Sequence, residues 1–303
     1  MFAWAVQRGS SALNMSVAWE INRLVVLPLV TVLVLLTNAP DVWYLRTPLV
    51  VLSVLALVYE TWRSSAVLWF IMAALLGGTI YLNWESNDNH KYLIAYWCLT
   101  LCAVFTVGTR HQEATLERSC RSMIGLCMLL AAVWKGATPD YLSGSFFTYE
   151  LLADERFAQF TDLWGGVPLT TLGEHRELRD LMLHGYERGI ELATASFQTS
   201  ERVRPLALFL TWWTLLIEGA LAILFLWPDS PRSARIRNAA LLLFAVSTYS
   251  VATVRGFGWM LMLLGLAQCP ERDKPWRLAY LAAFLLIQIY TLPVASIWTA
   301  LGG

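Results

Sequence analysis

Three polar positions interrupt otherwise apolar stretches, and each is of a type that does chemistry. His90 stands in "NDNHKYL" with Asn87, Asn89 and Tyr92 around it, directly before the apolar run "LIAYWCLTLCAVF". Lys135 closes another apolar run in "LLAAVWKGATPDYLSG". Glu218 lies inside "LTWWTLLIEGALAILFLW". A lysine at an apolar boundary can lose its charge, because burial disfavours the ammonium. The neutral amine is then a base, the usual route to a catalytic lysine. An imidazole flanked by amides suits a polar ring such as a quinone, held through its carbonyl oxygens. Each position also has a plainer use. Asn and Asp are favoured at helix caps, lysines snorkel to interfaces, and Glu218 can pair with an arginine for packing alone.

The elements carrying these residues are membrane-like. The chain of 303 residues is 57% hydrophobic and 15% charged, well below the ~25% charge of soluble domains. Mean hydropathy is +0.53. Fifteen Trp and eleven Tyr add rings that favour membrane interfaces. Zero net charge gives no basic footprint for nucleic acid. Apolar stretches near 24–38, 47–61, 66–83, 91–108, 122–135, 205–227, 237–254, 256–269 and 277–299 predict an all-α polytopic membrane protein, a single bundle of about eight to nine transmembrane helices. Residues 1–20, with Trp4 and Trp19, read as an interfacial helix rather than a signal peptide.

Basic residues set the orientation. With the N-terminus inside, the inner loops hold ten: Arg63, Arg110, Arg118, Arg121, Arg232, Arg235, Arg237, Arg272, Lys274 and Arg277. The short outer loops hold three: Arg46, Lys91 and Arg255. His90 and Lys135 then fall on one side of the membrane, the extracytoplasmic one, although neither is among the residues that set the orientation. Residues 136–204 form one long outer connection. Its Leu178, Leu181, Met182, Tyr186 and Ile190 recur at helical spacing, which predicts short amphipathic helices on the outer surface.

The remaining candidates carry less. Cys98, Cys102, Cys120, Cys127 and Cys269 form no CxxC and read as apolar filling. "GEHREL" lacks the second histidine of a zinc signature, and no metal is expected. His175 and His184 read as solvated loop residues, and His111 falls in a basic inner loop.

The landmark residues resemble a known family. "NDNHKYL" is similar to the NNHxYL motif of the vitamin K-dependent gamma-carboxylases and their bacterial HTTM relatives. Ala131–Lys135 aligns with their AGVKK pattern, and Trp212–Glu218, "WWTLLIE", resembles their W-x-x-L-L-L-D with Glu for Asp. Order and spacing agree over roughly residues 80–230. The resemblance implies a membrane enzyme of the cell membrane that uses reduced vitamin K or a menaquinol-like quinone. In the carboxylases a lysine reacts with the reduced cofactor and oxygen, a strong base removes a proton from a glutamate side chain, and carbon dioxide adds. Carried over, Lys135 is the base, and Asn87, Asn89, His90 and Tyr92 hold the quinone. Three departures accompany it. Trp134 replaces the first lysine of the pair, "LLLFAVSTYSVATVRGFGW" lacks the later-span histidine, and no large β-rich propeptide-binding domain is present. The chain looks closer to the short bacterial members, including the type that matures a sporulation-delaying toxin peptide, working beside a small partner protein.

Three readings therefore stand at this level. One is a quinol-dependent enzyme modifying a secreted or membrane peptide, with Lys135 and His90 at its centre. A second is a non-catalytic partner in maturation, export or immunity of a peptide toxin, docking through 136–204. A third is a small transporter with Glu218 and Arg255 paired on its path, although no inverted repeat is visible.

Overall fold

The computed structural model describes residues 22–37, 42–82, 84, 89–185, 196–252 and 254–290. Every regular element among them is helical. Long helices are α1 (Arg23–Thr37), α2 (Trp43–Val58), α4 (Ala66–Leu82), α5 (Asn89–Thr106) and α6 (Thr109–Ala137), with a four-residue α3 (Glu60–Arg63) between α2 and α4. A group of short helices follows: α7 (Pro139–Leu142), α8 (Ser145–Ala153), α9 (Ala158–Phe160) and the longer α10 (Leu169–His184). The chain closes with α11 (Val203–Leu226), α12 (Pro231–Val251), α13 (Arg255–Gln268) and α14 (Lys274–Tyr290). These long helices coincide with the apolar stretches of the sequence. The expected interfacial helix at 1–20 lies outside the described residues.

Local chemistry explains several boundaries. Ser230 and Ser233 form a reciprocal capping box, with Pro231 in the first turn of α12, where its missing N–H costs nothing. Gly144 takes the left-handed conformation (φ 80°) between α7 and α8, a turn that residues with a Cβ rarely make. Arg110, Arg118 and Arg121, expected in a loop, are helical: the basic stretch and the apolar run after it form one 29-residue helix, α6. Arg232, Arg235 and Arg237 likewise belong to α12.

Two cores result. The larger joins α1, α2, α4–α6 and α11–α14, with α13 at its centre: all of Trp259–Leu264, Leu266 and Ala267 are buried. The smaller packs Tyr141, Phe147, Leu151, Leu152, Phe157 and Leu172 against Val203, Ala207 and Leu210 on the first half of α11. The described part of the 136–204 connection is therefore a helical unit packed on the first half of α11.

By length and composition, α6 and α11 are the helices able to cross a membrane among the described residues. That is fewer than the eight to nine expected. Helices such as α13, with 14 residues, span only about 21 Å, short of a ~30 Å hydrocarbon core.

Candidate functional site

Helices α6 and α11 run antiparallel and pack closely where Gly125 meets Leu226. A Cβ on Gly125 would lie 2.7 Å from Leu226 Cγ, so a bare backbone is needed there. Lys135 lies about 15 Å further along α6, and Glu218 about 12 Å back along α11, at 1.5 Å per residue. The two reach the same depth and bond: Lys135 Nζ donates to Glu218 Oε1 at 2.5 Å. The arginine partner expected for Glu218 is thus replaced by Lys135. The side chains are unequally sheltered, Glu218 being 8% exposed and Lys135 24%.

Tyr141 of α7 completes this layer. Its ring lies 5.4 Å from Lys135 Nζ, within cation–π range. Its hydroxyl shares a 2.5 Å hydrogen bond with Thr214 Oγ1, one turn before Glu218 on α11. Glu218 Oε2 is buried and has no hydrogen-bond partner among the described residues, which is costly unless a donor reaches it. The arrangement brings together a proton donor, a proton acceptor and an acceptor atom still open to a ligand.

His90 belongs to the same end of the bundle. Thr100 Oγ1 contacts Met123 Sδ at 3.3 Å and fixes the register of the α5–α6 hairpin. From that contact His90 lies about 15 Å along α5 and Lys135 about 18 Å along α6, so both reach one level. The His90 ring sits against the position where a Cβ on Gly256, in the first turn of α13, would stand. Tyr92 is half-buried on α5, and Asn89 opens that helix. Asn87 lies outside the described residues. Trp134, beside Lys135 in the sequence, is 77% exposed and takes no part in the site.

A second polar layer, unforeseen in the sequence, sits at the other end of α6. Arg23 is buried, donating to the carbonyls of Ala267 (2.6 Å) and Cys269 (2.5 Å), to Glu117 (2.8 Å) and to Glu113. Nearby, Gln268 Nε2 and the Tyr280 hydroxyl both donate to Asn238 Oδ1. Arg237 reaches Asp229 at 3.1 Å. The legible signal was Glu113 and Glu117, four apart and so on one face of α6.

The unit between α6 and α11 holds the other surprises. His175 is buried in α10, not solvated. Its Nδ1 bonds the Leu152 carbonyl (3.1 Å) and its Nε2 accepts from the Gln198 N–H (2.9 Å). Those partners define the neutral tautomer with the proton on Nδ1. His184 is exposed, in the last turn of α10, paired with Asp180 at 3.0 Å. Burial pushes the Glu150 carboxyl up to about 7, helped by its hydrogen bond to Asp154. Burial would also raise Asp154, but hydrogen bonds from Arg156 and the shared proton of Glu150 hold it below the usual range.

All five cysteines are free thiols. No group of three metal-binding side chains exists among the described residues. No family model, curated protein or solved structure matches this chain.

Proposed function

We propose that this protein is a multi-pass membrane enzyme resembling the membrane core of the vitamin K-dependent gamma-carboxylases, and that it performs proton-transfer chemistry at Lys135 on a secreted or membrane peptide. The single observation that carries this reading is the Lys135–Glu218 pair, in which the carboxylate is buried and its Oε2 open. Buried ionisable groups between apolar helices are costly and mark function more often than packing. Membrane placement is supported by large apolar side chains exposed on most of the long helices, among them Phe70, Leu130, Val133, Phe209, Ile223, Val246 and Leu286.

A reduced vitamin K or menaquinol-like quinone fits the donors and acceptors present. Glu218 Oε2 would accept from a hydroxyl of such a ring, and Lys135 and His90 would donate to its oxygens. When bound, the quinol supplies reducing equivalents and a basic oxygen in this layer. The chain itself would orient the ring and hold the proton at Lys135 Nζ.

The test is oxygen uptake by the purified, lipid-embedded protein with reduced vitamin K or menaquinol, together with mass spectrometry for quinone epoxide. Wild type is expected to turn over, and Lys135→Arg to fall to background, because arginine cannot be deprotonated. Equal turnover in both proteins would remove Lys135 from the chemistry.

A second reading has its own observation. Leu163, Trp164, Leu169, Met182 and Leu183 are exposed on the 136–204 unit, which suits a docking role in peptide maturation or immunity. That role tolerates Lys135→Arg and is damaged by Trp164→Ser or Met182→Ser.

A further inference from the structure

The chain holds twenty-two Lys and Arg residues, and Lys91, Lys135 and Lys274 are its three lysines. Arginine supplies nearly every other positive charge, including the buried Arg23 and Arg237. Arginine cannot give up its proton in a protein, whereas lysine does so when desolvated. Lysine thus stands at the buried carboxylate of Glu218, where a fixed guanidinium would have made an ordinary ion pair. In the lysine-pair pattern that Ala131–Lys135 resembles, the first lysine would weaken the ammonium after it by like charge, and here that first place holds the outward Trp134.

We infer that Glu218 accepts the proton of Lys135, so that the two form a couple that shares one proton and switches between charged and neutral forms. The Lys135 Nζ–H bond breaks, and an O–H bond forms on Glu218 Oε1, 2.5 Å away. The lone pair stays on nitrogen, and net charge does not change. Desolvation penalises both ions of a pair, while their attraction only partly compensates. In the geometry seen here the two groups meet as an ion pair, with Lys135 24% exposed. When an apolar ligand covers Lys135, the neutral amine and acid take its place. Titratable groups facing the couple are Cys127 on α6 and Tyr141 on α7, and both are uncharged when protonated. Thr214 and the Tyr141 ring hold the geometry. The inference rests on reading the site as proton-transfer chemistry, but its test needs no quinone.

The full chain in lipid films is followed by infrared spectroscopy as the films are dried, with isotope-labelled lysine read by nitrogen NMR in the same samples. Three lysines give a short assignment. Drying is expected to raise a carboxylic-acid carbonyl band and convert the Lys135 ammonium to amine together. Glu218→Gln is expected to lack both changes. Lys135→Met, whose fold is checked by circular dichroism, is expected to show the acid band at every hydration. A carboxylate and ammonium that persist through drying would overturn the inference. So would an acid band that rises while Lys135 stays ammonium, since that proton came from solvent. Neutral coupling without quinol-dependent oxygen uptake keeps the proton-sharing couple and removes the quinol reading. Uptake lost in Lys135→Arg but without coupling does the reverse.

Discussion

At the scale of single residues, what stands out is how close His90 is held. The first turn of α13 carries Gly256, and the His90 ring occupies space that any Cβ there would claim. Gly256→Ala must push the ring, or the start of α13, out of place. Such overpacking typically costs about 1–3 kcal/mol. The expected outcome is a lower melting temperature, with the Lys135–Glu218 layer disturbed although neither residue changes. Gly136→Ala makes the control, because nothing lies within 4 Å of its added Cβ, and alanine favours helix. Differential scanning fluorimetry of both variants checks this. An undisturbed Gly256→Ala protein would show that His90 has room to move.

At the scale of elements, the α8–α10 unit behaves as a titrating body. Glu150 has its carboxyl raised to about 7 from an ordinary 4.5 by burial and Asp154. In the native state it therefore holds a proton that the unfolded chain would already have released. Its contribution is complete below the unfolded value and is lost as pH rises through about 7. Asp154 is shifted the other way, so its contribution is lost on acidification below the ordinary aspartate range. The unit should resist limited proteolysis best at about pH 5 and less at about pH 8, and Glu150→Gln should flatten that fall. A wild-type profile without slope between those values would contradict the sign. Sequence reading found short helices in this stretch, because apolar spacing is visible along a chain. It did not find their packing. His175 looked solvated because its partners, the Leu152 carbonyl and Gln198 N–H, lie twenty-three residues away on either side. Backbone partners leave no trace in side-chain pattern.

At the scale of the whole molecule, two polar layers bound an apolar slab. Glu117 and Lys135 mark the layers on α6, eighteen residues or about 27 Å apart, near the ~30 Å of a bilayer's hydrocarbon core. The long helices were legible beforehand, since the nine apolar runs match nine long helices among the described residues. Pairings across helices were not: Arg23 meets Glu113 and the α13 carbonyls only through the fold. The same slab makes a topological prediction. Basic residues crowd the Arg23 end, which under the proposed membrane reading would face the cytoplasm by the positive-inside rule, while Asp162 sits exposed in the unit beyond Lys135. A membrane-impermeant maleimide applied to intact cells should therefore label Asp162→Cys. It should reach Glu271→Cys, exposed near Arg277, only after permeabilisation. The native thiols give a low background, because Cys98, Cys120 and Cys269 are buried and Cys102 and Cys127 half-buried. Labelling in the opposite order would turn the molecule over and place the Lys135 layer toward the cytoplasm. A secreted peptide could then no longer be its substrate, although the proton-sharing couple would stand. Equal labelling of both positions in intact cells would remove the membrane barrier between the two layers, and with it the reading of the apolar slab as a bilayer-spanning bundle.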